Sequence, residues 1–382
     1  MEEVTKKVIQ DLIGENVEPC ISVYMPTIAA ASVEVKMMPI QLKNLLNNVK
    51  KELLEKWNAN SRDVEILLKP ATDLLGDRVF WQNQKQGLAL FINPEQFHYF
   101  RLNESVPEKS VINTYFNVIP LIPEVMFNNV YYVLTLSKNK NRVFRCTRTS
   151  IEQLNIEGIP GSLKEISQYT VVSKSLSLHS SGSEGGGAVF HGVGDIQTEQ
   201  QEELLQYLRQ IDHGLNKYLD EKAKSPLIVM SVKDIFATYS AINTYPFLLK
   251  DNMEGNPDEC TTDLVLKGSA PLVADYFDKQ LDDIINTYHN VKGTGKTSAQ
   301  LEEIVSAAYF SRVEQLIVKN NAFQSGNFDP EENKVRFMER GLGQYNLYNF
   351  AVIKTIANGG QAYTLDEEKM PDGKDIIAFF RY

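Results

Sequence analysis

Short apolar runs alternate with amphipathic helical stretches along nearly the whole chain, and this alternation restricts its fold more than any other feature. The runs CISVYMP (20–26), VYYVLTLS (130–137) and EQLIV (314–318) are typical of strands, and each shares its block with segments whose apolar residues recur at three- and four-residue spacing. Strand–helix alternation in three successive blocks predicts an α/β fold throughout. Since 382 residues exceed the usual size of one compact core, we expect two or three domains.

A glycine-rich run, HSSGSEGGGAVFHGVGD (179–195), interrupts the middle block. It precedes a predicted long helix over 198–223, for which Thr198 is the expected N-cap. So many glycines and serines cannot anchor a core, so we expect an exposed segment that serves as a linker, a phosphate-binding loop or a mobile arm. Its candidate RNA-binding residues are His179, Gly185, Gly186, Gly187, His191, Gly192, Gly194 and Asp195.

The charge distribution allows only local contact with nucleic acid, because the net charge of −10 repels a phosphate backbone. Residues 226–382 carry 15 basic against 22 acidic side chains, whereas residues 131–225 carry 11 of each. Within this balanced segment, KNKNRVFRCTR (138–148) contains no acid, and we call its five basic residues the basic ribbon: Lys138, Lys140, Arg142, Arg145 and Arg148. The run fits either an RNA contact or a solvated hairpin whose charges protect an edge strand, and by itself it favours the hairpin.

Several classes of protein are excluded by what the sequence lacks. The first twenty residues have no apolar signal-peptide core, and no stretch approaches the roughly 20 apolar residues of a membrane span. Cys20, Cys146 and Cys260 are scattered without a CxxC pair, which argues against a disulfide framework or a zinc site. We therefore expect a cytoplasmic protein with no membrane contact, no metal and no cofactor.

The string NVKGTGKTSAQ (290–300) looks like a nucleotide-binding loop, but Asn290 occupies the position of its first glycine. The string also follows a predicted helix instead of a buried strand, so its backbone would not converge on a phosphate. We interpret it as a helix–helix turn in which Thr297 or Ser298 caps the next helix.

A set of stretches in fixed order carries a family resemblance. The stretches are PCISVYMPT (19–27), PIQLKNLL (39–46), FWQNQKQGLALFINPEQFHYFRL (80–102), YYVLTLSKNKNRVFRCT (131–147), IPGSLKEISQY (159–169), FHGVGD (190–195), LLQYLRQIDHGLNKYL (204–219), TYPFLL (244–249), GNPDE (255–259) and the ending from GGQAY (359–363) to the final tyrosine. Together they resemble bacterial archaeo-eukaryotic release factor family 3. The resemblance implies an N-terminal α/β domain (1–127), a ribonuclease-H-like middle domain with the glycine-rich loop (128–255) and an L7Ae-like C-terminal α/β domain (256–382).

In relatives the glycine-rich loop reaches the peptidyl-transferase centre of the ribosome, so the resemblance implies that residues 179–195 form an arm. Release factors carry Gly-Gly-Gln there, but this loop reads HGVGD and has no glutamine between Gly182 and Ile196. A Gly-Gly-Gln does occur at 359–361, between a predicted helix and a strand, where its glycines are expected to end the helix. The resemblance thus implies a translation-associated factor that binds the ribosome or tRNA in rescue, hibernation or quality control, without Gly-Gly-Gln hydrolysis.

Two alternatives stay open at the level of sequence. The chain could be a hydrolase of a small phosphate or ester substrate that uses the glycine-rich loop as a lid. It could also be a scaffold whose acidic C-terminal domain binds a protein partner. Whether it is an enzyme stays open, with a binding role favoured and catalytic residues unknown.

Overall fold

The computed structural model describes residues 4–14, 17–28, 37–125, 130–147, 150–166, 193–219, 225–339 and 345–382, with backbone alone for 193–199. It is a mixed α/β structure with several sheets, which confirms the predicted class. Its helices are α1 (Lys6–Leu12), α2 (Met38–Glu55), α3 (Ser61–Asp73), α4 (Arg78–Gln82), α5 (Ile122–Val125), α6 (Val193–Tyr218), α7 (Lys233–Ile242), α8 (Thr262–Val291), α9 (Leu301–Tyr309) and α10 (Leu347–Ala357).

The strands belong to four sheets, and the described chain divides into two compact units. The strands are β1 (Cys20–Pro26), β2 (Gly87–Ile92), β3 (Phe97–Leu102), β4 (Lys109–Asn113), β5 (Tyr131–Leu136), β6 (Asn141–Cys146), β7 (Ile151–Leu154), β8 (Leu227–Ser231), β9 (Met253–Glu254), β10 (Thr297–Ser298), β11 (Val313–Lys319), β12 (Ser325–Asp329), β13 (Lys334–Phe337), β14 (Tyr345–Asn346), β15 (Gln361–Leu365) and β16 (Ile376–Phe380). The first unit comprises residues 1–126 and 282–382, and the second comprises residues 127–281.

The first unit contains an antiparallel sheet in the order β3-β2-β1-β4. Successive side chains of a strand point to opposite faces, so β1 contributes to two cores. Ile21, Val23 and Met25 pack in the core that α2 and α3 cover. Tyr24 packs on the other face, in a core that includes buried side chains of α9, α10 and the C-terminal strands.

The C-terminal part of this unit has a mixed sheet, β10-β16-β11-β15, and a three-stranded sheet, β13-β12-β14. Asn349 of α10 joins this part to the N-terminal part. Its side chain accepts a hydrogen bond from the Val118 N–H and donates one to the Phe116 carbonyl, both at 2.8 Å. The first and last thirds of the chain therefore share one core.

The second unit is a five-stranded sheet in the order β7-β6-β5-β8-β9, with β5 and β8 parallel. One face packs against α6 and α7 through Leu134, Val143 and Leu208. The other face packs against α8 through Val133, Phe144 and Phe277. The central strands β5 and β8 are thus covered on both sides, as their apolar composition requires.

Helix α6 begins at Val193, which corrects two expectations. Gly194 and Asp195 belong to the helix instead of the loop, and Thr198 is not its N-cap. A glycine inside a helix costs about 1 kcal/mol relative to alanine, which a helix of this length tolerates.

Helix α8 has 30 residues and contains the boundary between the two units, which follows residue 281. Its N-terminal half packs in the second unit, because Val265, Val273 and Phe277 are apolar and contact the sheet core. Residues 256–281 therefore fold with the middle segment, although the sequence division was placed at 255. Neither α8 nor any other helix of the described residues is long and apolar enough to cross a membrane.

Candidate functional site

The turn between β5 and β6 is the point where several of the family-resembling stretches meet. Ser137 organises it, since its Oγ accepts the N–H groups of Asn139 (3.1 Å) and Lys140 (2.9 Å). The same hydroxyl donates to the Asp258 carboxylate, which belongs to GNPDE (255–259). A serine that bonds to backbone N–H groups two and three residues ahead is a common way to fix a tight turn.

Asp258 binds the tip of this hairpin from outside the sheet. Asn139 Nδ2 donates to its Oδ2 at 2.9 Å. The hydrogen bonds from Asn139 and Ser137 lower the pKa of Asp258, and the charges of Lys140 and Arg142 lower it further. Although the sequence run 138–148 contains no acid, folding places this carboxylate beside its first lysines.

The opposite side of the tip is held by residues 160–163 and by α6. Asn141 donates its backbone N–H to the Gly161 carbonyl (2.9 Å) and its side-chain amide to the Pro160 carbonyl and to Tyr207 Oη (3.1 Å). Tyr207 donates in turn to the Ser137 carbonyl at 2.9 Å. Burial raises the pKa of Tyr207 to about 12, so its hydroxyl keeps its proton.

We call Ser137, Asn139, Asn141, Tyr207 and Asp258 the tip cluster. Sequence analysis did not select these residues as a site. The available signal was the density of turn-forming serine, asparagine and aspartate in SKNKN (137–141) and GNPDE (255–259), which a charge-based search passes over. The cluster fixes the hairpin tip and leaves its lysines exposed, so its chemistry is positioning and not acid–base catalysis.

Arg142 of the basic ribbon is committed to internal contacts. Its Nη2 lies 2.9 Å from the Pro257 carbonyl oxygen, 3.0 Å from that of Cys260 and 2.7 Å from Cys260 Sγ. Its guanidinium also lies over the Phe144 ring, 5.4 Å from the centroid. Arg142 therefore ties β6 to the segment before α8, and its donors face the protein interior.

The five residues of the ribbon do not form one row. Arg145 is three positions from Arg142 on the same strand, so it projects from the opposite face, next to Tyr132 and Glu152 on the neighbouring strands. Lys138 and Lys140 are exposed at the turn, and Arg148 lies outside the described residues. Among the described residues of the ribbon, Lys138 and Lys140 are the fully exposed basic pair.

Six candidate loop residues lie outside the described residues: His179, Gly185, Gly186, Gly187, His191 and Gly192. The chain enters that segment directly from residues 160–166, which pack beside the hairpin tip through the Leu163 N–H and the Lys138 carbonyl (2.9 Å). In the part of the chain that the structure describes, no group of three or more His, Cys, Asp or Glu side chains could hold a metal ion.

Asp212 and His213 are adjacent on α6 and do not act together. Asp212 is buried and accepts hydrogen bonds from the Thr244 N–H (3.2 Å) and Oγ1 (2.7 Å). His213 is exposed on another side of the helix. The aspartate thus fixes the stretch TYPFLL (244–249) and has a structural role.

The Gly-Gly-Gln at 359–361 forms the end of α10. Gly359 has φ +78°, its N–H bonds to the Ile356 carbonyl (3.0 Å), and the Gly360 N–H bonds to the Thr355 carbonyl (2.8 Å). This pair of bonds is the Schellman arrangement that ends many helices. Gln361 begins β15, and its Oε1 accepts the Tyr363 hydroxyl at 2.6 Å. All three residues of the tripeptide therefore have local structural contacts.

The string NVKGTGKTSAQ also has a structural role. Gly293 and Gly295 have φ values of +83° and +81°, and Lys292 Nζ forms an ion pair with Asp372 at 2.9 Å. The turn leads to the short strand β10 before α9 begins, so it is not a direct helix–helix turn. The N-cap of α9 is Gln300, whose N–H bonds to Ser298 Oγ at 3.1 Å.

Comparison with protein families identifies the segment that contains the tip cluster. Residues 130–312 match the model of bacterial archaeo-eukaryotic release factor family 3. The match confirms the predicted resemblance to this family over that segment. The hairpin, α6, GNPDE and α8 all lie within this family 3 segment. A comparison with curated proteins gave no match.

Solved structures with detectable similarity include termination factors and Pelota proteins. An archaeal translation termination factor, aRF1, is 14% identical over 100% of this chain and 99% of its own, with a TM-score of 0.25. Dom34 of S. cerevisiae is 13% identical over 78% and 79%, with a TM-score of 0.35. Pelota of Archaeoglobus fulgidus is 13% identical over 77% and 79%, with a TM-score of 0.30. Scores this low support no inference about function.

Proposed function

We propose that this protein is a cytoplasmic, release-factor-like translation factor that binds the ribosome, through ribosomal RNA or tRNA, in rescue, hibernation or quality control. The observation that carries the proposal is the family 3 match over residues 130–312. Four of the stretches that resemble the family meet around one hairpin tip, which supports a shared role for that surface.

The proposal includes three domains over 1–127, 128–255 and 256–382, with a ribonuclease-H-like middle sheet and an L7Ae-like C-terminal domain. Two helices on one face of the five-stranded sheet and one on the other support the middle assignment. Residues 256–281, at the start of the third proposed domain, pack with that sheet.

We propose that the factor does not hydrolyse peptidyl-tRNA through Gly-Gly-Gln. The glycine-rich run has no glutamine between Gly182 and Ile196, and the tripeptide at 359–361 ends a helix. Gly359 has a positive φ and Gly360 lies close to Thr355 in the last turn of the helix. Glycines held in this way are not free to approach an ester bond in the ribosome. This supports a factor that occupies a ribosomal site instead of cleaving its substrate.

The RNA contact in this proposal uses the hairpin tip together with the glycine-rich run 179–195. Lys138 and Lys140 are exposed, and the tip cluster holds the backbone between them in one conformation. A rigid turn with two lysines can contact phosphates at little cost in backbone ordering. The strong negative charge of the rest of the protein confines the contact to this surface.

A second candidate function is binding of a protein partner through the C-terminal part, and an exposed apolar patch favours it. Phe323, Phe337 and Met338 are 46%, 49% and 38% exposed. Phe337 pairs with Gly326, and the Met338 N–H bonds to the Ser325 carbonyl, so these side chains lie around one end of β12. Grouped exposed apolar side chains are typical of protein interfaces.

The test is sedimentation of the tagged protein with ribosomes through a sucrose cushion, using lysates of growing and of starved cells. We expect the protein in the ribosomal pellet in at least one condition, and purified ribosomes should reproduce the binding. The double variant Lys138→Glu/Lys140→Glu should be absent from the ribosomal pellet, whereas Phe337→Ser should still sediment with the ribosomes. Ribosome binding that is lost only in Phe337→Ser would favour the partner-binding function.

A further inference from the structure

A cavity of about 410 Å³ lies in the N-terminal part of the first unit, far in sequence from the hairpin tip. Its walls come from four segments: the end of α2 with the turn that follows, α3, the residue before β1, and the turn that joins β2 to β3. Ligand sites for small molecules commonly have volumes of about 300–1,000 Å³. The cavity is therefore large enough for a small organic molecule.

Most of the cavity wall is apolar. Leu53 and Val64 are buried at its base, while Leu67 and Phe97 are half-buried at its sides. Ile66 lies at the mouth and is 64% exposed, which leaves a large aliphatic side chain in water. Covering Ile66 with an apolar ligand group would remove that surface from water.

The charged groups of the wall are all negative. Asp63 on α3 and Glu95 in the β2–β3 turn are exposed, and no lysine or arginine is among the described lining residues. The nearby Lys69 pairs with Asp73, and Lys50 pairs with Glu65, so the neighbouring cations have carboxylates outside the cavity. The carboxylates at the cavity favour a ligand with a positive charge.

A proline inside α3 adds a backbone acceptor to the same wall. Pro70 has no N–H, so the carbonyl of Ile66, four residues earlier, lacks the donor that a regular helix would provide. Both residues line the cavity. The Ile66 carbonyl oxygen and the two carboxylates are all hydrogen-bond acceptors, so a ligand that carries donors complements this wall.

We infer that this cavity binds a small molecule with an apolar body and a protonated amine. The apolar body lies against Leu67, Ile66 and Phe97, and the ammonium group bonds to acceptors at the rim. Four converging segments enclose a compact space, which suits a small molecule better than an extended peptide. The inference concerns the first unit and does not rest on the proposed function.

The first experiment uses methyl NMR of the full-length protein with labelled isoleucine and leucine. The probes are 2-phenylethylamine, its neutral analogue 2-phenylethanol and its anionic analogue 3-phenylpropanoate. We expect saturable shifts of the Ile66, Leu67 and Ile92 methyl groups with the amine, weaker shifts with the alcohol and none with the anion. Equal binding of the amine and the alcohol, or no saturable shift with the amine, would overturn the inference.

Variants assign the contacts. Asp63→Asn and Glu95→Gln should each weaken amine binding about three- to fivefold, as expected for exposed ion pairs, and leave the alcohol unaffected. Glu65→Gln is the matched control, since it removes a carboxylate from the same helix outside the cavity. Pro70→Ala restores the N–H and should also weaken amine binding, while the protein stays folded. Unchanged amine affinity in all three cavity variants would show that the amine is not held at these acceptors.

Discussion

Arg142 Nη2 lies 2.7 Å from Cys260 Sγ and 3.0 Å from the carbonyl oxygen of the same residue. One guanidinium group thereby joins β6 to the turn that precedes α8. The basic run 138–148 therefore does not act as one binding surface, because Arg142 at its centre stabilises the fold and its Nη2 donors are used within the protein.

Arg142→Ala should destabilise the second unit by about 2–3 kcal/mol, because it removes the guanidinium donor from the Cys260 carbonyl and leaves the Pro257 carbonyl with only the weaker Cys260 thiol as donor. Hydrogen exchange of peptides that cover 131–146 should become faster in this variant. Lys140→Ala removes a neighbouring exposed charge and should change stability by less than about 0.5 kcal/mol. Equal protection in the two variants would refute the structural role of Arg142.

Gly359→Ala should lower the free energy of unfolding of the first unit by about 1–2 kcal/mol, because φ +78° is unfavourable for a residue with a Cβ atom. Space is not the cause, since a Cβ there would have no neighbour within 4 Å. Urea unfolding followed by tryptophan fluorescence measures the effect, as Trp57 and Trp81 both lie in this unit.

Gln361→Ala is the companion variant, and it should leave both folding and ribosome binding unchanged. The Gln361 side chain accepts one part-buried hydrogen bond, from the Tyr363 hydroxyl. Loss of a ribosome-linked activity in a folded Gln361→Ala protein would show that the tripeptide acts in catalysis after all.

The stability of the hairpin tip should depend on pH through Asp258. The pKa of this carboxyl is lowered in the folded state by Asn139 and Ser137. A lowered folded-state pKa stabilises the fold above the unfolded pKa of about 4, and this contribution is lost as pH falls through the folded value. The protection factors of amides 137–141, which are corrected for the intrinsic pH dependence of exchange, should therefore fall as the solution is acidified below about pH 4. In Asp258→Asn the tip should exchange faster at neutral pH and lose this acid dependence.

Strands and helices with strong periodicity could be predicted from sequence, and the contacts of the site could not. CISVYMP forms β1 as predicted. The three- and four-residue apolar spacing within 40–57 and 62–76 predicts two helices, and α2 (Met38–Glu55) and α3 (Ser61–Asp73) differ from those bounds by a few residues. The hairpin of β12 and β13 has no clear apolar alternation, since SGNFD and KVRF are largely polar or exposed. The pairing of strands across the sequence, which buries one side of β12, decides its structure.

The contacts of the tip cluster could not be predicted from the sequence either. Asp258 lies 119 positions from Asn139, so no local pattern links them. The basic run predicted a hairpin correctly, because KNKN contains turn-forming residues between two apolar runs. The expectation that its charges protect an edge strand was wrong, since β6 lies between β5 and β7. It did not predict that alternation along β6 separates Arg142 from Arg145, which becomes visible only when the strand bounds and its partners are known.

The salt dependence of ribosome binding should show whether Lys138 and Lys140 contact phosphates. If each contacts one phosphate, Lys138→Glu/Lys140→Glu should reduce the slope of log affinity against log salt by about 1.5, from the usual 0.7–0.9 per phosphate. Lys267→Glu/Lys279→Glu makes the same change in net charge on exposed positions of α8 and should leave the slope unchanged. If both double variants lowered the slope equally, ribosome binding would depend on the net charge of the protein and not on contacts of the tip lysines with phosphates.

The most direct test of the account is site-specific photo-crosslinking from the hairpin tip on purified ribosomes. A benzophenone amino acid replaces Lys138 in one protein and Lys279 of α8 in the other, and both are irradiated after sedimentation with ribosomes. The account predicts a crosslink to ribosomal RNA or tRNA from position 138 and none from position 279. Bound protein that crosslinks to RNA from position 279 but not from position 138, or protein that never sediments with ribosomes, would contradict it.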